Sequence, residues 1–198
     1  MAIDRKEKIL KAAIDLWVKD GAAFTRLSAV AKAAKVPAPL IHYYFQSEED
    51  LHFEVTLRIR DEILAYHLKH LVKKTGAAEG FKEYLKGPLL WASHQPGHAS
   101  IWFYFYYLAT YHPRFKELNT QLKKTGSERI TLMIYEGIEK GEFSIPQGMA
   151  VKDLTQEIQA QMNGYLLLFM TEKHGRDVSY YIELQENRIL ALLGVTSK

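Results

Sequence analysis

The sequence predicts an all-α protein, on three observations. Apolar residues recur at three- and four-residue spacing through nearly the whole chain, as in Ile9, Ala13, Leu16 and Trp17 or in Leu154, Ile158 and Met162. Helix breakers fall at few points: Gly21, Lys35-Val36-Pro37, Lys73-Lys74-Thr75-Gly76, His94-Gln95-Pro96-Gly97, and Gly141 with Pro146. Between the first two breakers, and again up to Gln46, the helical pieces are short and meet at a tight corner. The expected architecture is an N-terminal three-helix helix-turn-helix head, residues 1–46. A long helix joins it to a C-terminal helical ligand-binding and dimerisation body, residues 47–198.

Residues 1–20 read as one amphipathic helix, basic around its stripe through Arg5, Lys6, Lys8 and Lys11. Gly21 stops it, and Phe24 is expected to pack where the loop turns back. Thr25 reads as the N-cap of the second helix, a position that also suits a phosphate. In that helix Leu27, Val30, Ala31 and Ala34 share a face, and the small alanines let a neighbour come close. Pro37 lacks the N–H that a helix interior needs but fits a first turn, so a third helix starts there. Leu40, Ile41, Tyr44 and Phe45 give it an apolar stripe, leaving Ala38, Pro39, His42 and Tyr43 outside. Ser47 followed by Glu48, Glu49 and Asp50 signals the start of the next helix: a capping hydroxyl, then acids at the positive helix end.

At these residues the chain resembles the TetR family of bacterial transcriptional regulators. The likeness runs through Thr25, Val30-Ala31-x-x-Ala34, Val36, the Leu-Ile-x-Tyr-Tyr-Phe run at 40–45, Ser47 and Leu51. It implies a homodimeric repressor whose third helix lies in the DNA major groove, on a palindromic operator of double-stranded DNA. The DNA-binding set it suggests is Thr25, Arg26 and Lys35 at phosphates, with Ala38, Pro39, Leu40, His42 and Tyr43 toward the bases. The reading helix carries no Arg, Lys, Asn or Gln for bidentate base contacts. Four positions depart from the family pattern, among them Pro37 and Ala38, where a small polar residue and a lysine are frequent. Lys35 stands where glycine is usual in the turn, and Glu48 where a phosphate-reaching lysine is common. A carboxylate facing phosphate repels it, so a dimer of this shape with weakened or lost DNA binding, acting as a small-molecule or protein-interaction module, is the alternative.

Charge is informative locally rather than globally. The 198 residues carry a formal charge of only +3. Between Arg5 and Gln46, however, eight basic residues face three acidic ones, a bias that suits DNA or, more simply, a solvated helix face. The 47% apolar content is ample for a core. With no cysteine there is no disulfide framework or thiolate site. No signal-peptide core or membrane-length apolar run appears, so a cytoplasmic protein with no membrane partner is expected.

In the body, helical spacing runs from Ser47 to about Lys74, with Leu57, Leu64, Leu68 and Leu71 turned inward. The next helix contains Gly87-Pro88, where a kink is expected. Trp102-Phe-Tyr-Phe-Tyr-Tyr107 and Tyr111 crowd nearly every face of the helix after Pro96, predicting burial all round. Buried phenols need partners, so a packed core, a partner-facing surface and a hydroxyl-studded cavity for a small-molecule effector all fit. Trp102, Phe105, Tyr106, Tyr165, Phe169 and His112 are the effector-binding candidates, for a neutral or weakly charged aromatic or lipophilic compound. The run through Pro113 also resembles the effector domains of the same family.

Gly126, midway through the following helix, invites a break. The last two helices each carry an apolar face, expected to pair with a second copy in a four-helix interface through Leu154, Ile158, Met162, Ile182, Ile189 and Leu193; a monomer core is the other reading. No nucleophile motif, phosphate-cradling glycine loop or carboxylate pair stands out, and no enzyme, metal or cofactor is expected. The histidine pairs 67/70 and 94/98 lack a third ligand, and Pro96-Gly97 interrupts the second pair.

Overall fold

The computed structural model describes residues 2–22, 25–70, 76–172 and 177–195, with backbone alone at 2–4 and 68–70. These form nine described helices: α1 (Ala2–Asp20), α2 (Leu27–Ala33), α3 (Ala38–Tyr44), α4 (Glu48–His70), α5 (Ala77–His94), α6 (Pro96–Leu108), α7 (Pro113–Glu139), α8 (Val151–Thr171) and α9 (Val178–Leu192). The expected roles of Phe24, Leu68, Leu71 and the His70 side chain lie outside the described residues. None of these helices is long and apolar enough to cross a membrane, among the residues described.

Packing divides the chain into two compact units, residues 1–62 with 95–117, and residues 63–94 with 118–198. The functional division drawn above at residue 46 is a separate matter. In the first unit the apolar stripe of α1 closes chiefly on α2 and α6, and α2 in turn packs on α3. Ile9, Trp17, Val30, Ile41, Phe45 and Val55 are all buried there. Each such side chain contributes about 1.5–3 kcal/mol of apolar burial, which is what holds two seven-residue helices that could not persist alone.

The second unit has an apolar core of its own. Phe81, Leu85, Ile134, Leu154, Ile158 and Ile189 meet at its centre. Helix α5 runs on through Pro88. A proline disturbs the carbonyls one turn back, and the buried Gln185 donates its Nε2 to one of them, Leu85 O, at 2.7 Å. The N-terminus of α5 is capped from far along the chain. Glu142 accepts from the backbone N–H of Ala77 at 3.1 Å and of Ala78 at 2.8 Å. Those bonds hold its carboxyl below the usual carboxylate range.

Three expectations need correction. Helix α7 is unbroken from Pro113 to Glu139. Gly126 is there for proximity, since a Cβ would lie 2.8 Å from Gln159 Nε2. Leu64 faces outward, 49% exposed. Helix α6 is not buried all round either: it ends at Leu108, Tyr107 on it is 58% exposed, and Tyr111, in the turn that follows, is 53% exposed.

Candidate functional site

The corner between α2 and α3 is built by hydrogen bonds that end the first helix in a left-handed turn. Lys35 N–H donates to Lys32 O and Val36 N–H to Ala31 O, both at 3.1 Å. This is the Schellman closure, which requires a left-handed residue between the two donors. Lys35 occupies that place with φ +53°, the one described non-glycine residue with positive φ. Its backbone therefore adopts the conformation glycine usually supplies, at a cost of roughly 1 kcal/mol. Pro37 is extended and caps α3, and Pro39 sits in its first turn.

The inner side of α3 is anchored by Ile41 and Phe45, both fully buried. That fixes the other side outward: Ala38, Pro39 and His42 are exposed, Leu40 is half-buried, and Tyr43 is 78% exposed with its ring edge-on to Tyr44 at 5.1 Å. Arg26 and Lys35 are also exposed. Thr25 differs from its expected role. The N-cap of α2 is Arg26, whose side chain makes no capping bond, while the Thr25 hydroxyl donates to Gly21 O at 3.1 Å. Its hydroxyl thus closes the end of α1 rather than opening α2.

Helix α4 starts as expected. Asp50 N–H donates to Ser47 Oγ at 3.0 Å, and Ser47 Oγ donates to Asp50 Oδ2 at 3.1 Å. Arg114, at the start of α7, reaches Asp50 Oδ1 at 2.8 Å and lies 3.7 Å from the Phe53 ring centre. The Ser47 bonds and the guanidinium hold the Asp50 carboxyl below its usual value, against a partial desolvation. Lys6 to Glu54 at 2.8 Å ties α1 to the same helix.

The effector candidates fall in both units. Trp102, Phe105, Tyr106 and His112 belong to the first; Tyr165 and Phe169 to the second. Phe105 is fully buried, whereas Trp102 and Tyr106 are half-buried, with ring centres 5.9 Å apart. Burial raises the Tyr106 phenol above its ordinary pKa, partly offset by its bond with Trp102. Phe169 meets Tyr181 edge-on at 5.6 Å. His112 lines an open recess of about 200 Å³ with Glu48, Glu49, His52, Tyr104 and Tyr111.

The dimerisation candidates need the largest revision. Leu154, Ile158, Ile189 and Leu193 are fully buried in the chain's own core and have no surface to offer a second copy. Met162 and Ile182 are half-buried. On the opposite side of α8, Ala160, Gly164, Leu167, Leu168 and Thr171 form an exposed stripe, with Leu167 48% and Leu168 50% exposed. Tyr180, Leu184 and Ala191 follow the same period on α9, Leu184 half-buried. Periodicity found both faces of α8 but gave a partner the one that the chain's own core fills; the two consecutive leucines lie on the exposed one. Of the histidine pairs, His94 Nδ1 meets the Tyr66 hydroxyl at 3.1 Å and His98 Nδ1 meets Glu62 at 2.8 Å.

Residues 9–55 match the family model for bacterial regulatory proteins of the tetR family. A comparison with curated proteins found no match. Among solved structures, a Saccharomonospora viridis protein described as a transcriptional regulator, in complex with choline, superposes with a TM-score of 0.83 at 20% identity, over 96% of each chain. A TetR-family regulator from Rhodococcus sp. gives 0.79 at 17% identity, over 96% of this chain and 99% of that one. The fatty acid degradation regulator FadR from Bacillus halodurans gives 0.73 at 19% identity, over 97% of each. Residues 9–55 therefore belong to the tetR family of bacterial regulatory proteins, and the chain as a whole has the fold of that family's transcriptional regulators.

Proposed function

We propose that the chain is a DNA-binding transcriptional repressor, acting as a homodimer on a palindromic site and released by a small lipophilic or aromatic effector. The observation that carries this reading is the outward face of α3: Ala38, Pro39, His42 and Tyr43 project from a helix pinned by Ile41 and Phe45. Such a face offers thymine-methyl contacts and two hydrogen-bonding tips rather than bidentate base readout. Arg26 and Lys35 flank it as phosphate anchors, and Thr25 joins them only by exchanging its bond to Gly21. The pairing surface is the exposed stripe of α8 and α9 rather than the buried face.

The test is fluorescence anisotropy on palindromic fragments from the DNA upstream of the gene. With about six phosphate contacts per dimer, affinity falls about a thousandfold between 50 and 200 mM salt. An affinity that does not change with salt rejects the phosphate-anchored reading. For the dimer, Leu167→Glu with Leu168→Glu should yield a folded monomer by sedimentation; a persisting dimer rejects this surface. Trp102→Ala should abolish the effector response. Fatty acids, the class named for the Bacillus halodurans regulator, are the first effectors to try.

A second reading is favoured by the exposed Glu48 and by an α3 without a cation other than His42. In that case the chain is a dimer of the same fold that binds a small molecule or another protein and not DNA. Absence of a shift at low salt on every fragment supports it.

A further inference from the structure

The recess against the start of α4 shares Thr25 with the proposed DNA-binding set and His112 with the effector candidates, but its carboxylates and rings serve neither reading. Its walls hold two carboxylates, Glu48 and Glu49, and the rings of Tyr104, Tyr111, His52 and His112, with no lysine or arginine among its lining residues. Arg114, two residues after His112, is committed elsewhere: it is bonded to Asp50 and stacked on Phe53. Tyr104 stands 5.3 Å from His52 and 5.8 Å from Tyr107, and Tyr111 stands 4.4 Å from His112, so the rings form a continuous wall. His52 is stacked on Trp17 at 4.2 Å. Burial, and the charge of His112, push its imidazole down to about 4, so this ring is neutral at physiological pH. The Tyr104 phenol is raised by burial, by Tyr107 and by the Glu48 carboxylate, whose field reaches into the recess. His112 Nδ1 lies 3.5 Å from Glu49 Oε2, a long and partly exposed contact that a cation in the recess would compete with.

We propose that this recess is a binding site for a small organic cation, a quaternary or protonated amine. About 200 Å³ holds several waters, which such a cation would replace. Aromatic faces attract a cation through their quadrupoles, and adjacent carboxylates supply the counter-charge. A metal ion is a poorer fit, since no described group of three or more His, Asp or Glu is arranged to hold one. The site also has a consequence for DNA, which rests on the function proposed above. Glu48 occupies the position at the start of α4 where a carboxylate repels phosphate, so a cation held against it relieves that repulsion and tightens DNA binding. This ligand acts as a co-repressor, opposite in sign to the lipophilic effector.

The probe is tetramethylammonium, with tert-butanol as its uncharged counterpart. Intermolecular NMR contacts from the methyl protons to the rings of Tyr104 and His52 locate the site, and a titration at constant ionic strength gives the affinity. Expected is binding at least tenfold tighter than that of tert-butanol, and at least tenfold weaker in Glu48→Gln with Glu49→Gln. Tyr111→Leu, at an exposed position, is the second variant and should lose severalfold. Equal binding of cation and alcohol, unchanged affinity in both variants, or contacts located elsewhere overturns the site. Exchanging sodium for tetramethylammonium should then raise DNA affinity severalfold in the natural protein and leave the Gln variant unchanged. A direct titration that succeeds while DNA affinity stays flat or falls overturns the coupling alone. If no DNA binds under any condition, the function above fails and the titration still decides the site.

Discussion

The two compact units hold themselves together by different means. The second is closed by aliphatic and phenylalanine side chains, and two of its helices, like α1 of the first, end at a left-handed glycine. Gly141 and Gly194 take the left-handed positions after α7 and α9, at φ +69° and +71°. The first unit has an equally apolar core and adds polar ties between its helices. Lys6–Glu54, His98–Glu62 and Arg114–Asp50 bind its helices, His52 is stacked inside it, and a lysine takes the left-handed turn. The lesson is that apolar burial is indifferent to pH and salt, whereas charge-tied packing is not. Between pH 5 and 7 the first unit, with its buried imidazole, should therefore respond to pH more than the apolar core of the second.

The largest test cuts the second core. Ile158→Ala should cost about 2–5 kcal/mol in urea unfolding, by the same amount at pH 5 and pH 7 and at any ionic strength. A loss that varied with pH would break the contrast. Next comes His52. In the unfolded chain its imidazole takes a proton below about 6.5, but in the folded chain only near 4. The folded state thus binds fewer protons between those values, so stability is complete above 6.5 and declines as pH falls toward 4. The decline should be on the order of 2 kcal/mol, and His52→Phe, which keeps a ring against Trp17, should flatten it.

A smaller effect is expected at the turn. Lys35→Gly relieves the left-handed strain and should raise stability by about 0.5–1 kcal/mol, while Lys35→Ala should not. The same change removes a phosphate anchor, so it should lower the salt dependence of DNA binding by about one ion per head. Smallest is Arg114→Ala, about 0.5 kcal/mol, because the pair is partly exposed and screened. That contribution should shrink in high salt. It should also fade in acid, as pH drops past the ordinary aspartate value of 3.8 and through the lower folded one.

Local chemistry was the most legible part of the sequence. Pro37 and the Ser47–Asp50 cap mark their boundaries because a missing N–H and a reciprocal side-chain bond act within three residues. Thr25 misled because hydroxyl preference cannot say which neighbouring helix end the side chain will serve. Gly126 misled because its reason is a glutamine thirty-three positions away. Leu154 and Ile158 were correctly read as an apolar face, yet periodicity is blind to what covers a face, the same chain or another. The recess beside α4 was hidden because Glu48, His52, Tyr104 and His112 meet only through the packing of three helices.

The shortness of α3 sets a limit on how much a single head can know. Seven residues rise about 10 Å, the height of about three stacked base pairs at 3.4 Å each. Even perfect discrimination along that length separates about one trinucleotide in 64, against the roughly million or more competing positions of a genome. Addressing one promoter by this helix alone is thus arithmetically out of reach. Uniqueness has to come from several copies reading in concert, or from the mechanical properties of the intervening duplex.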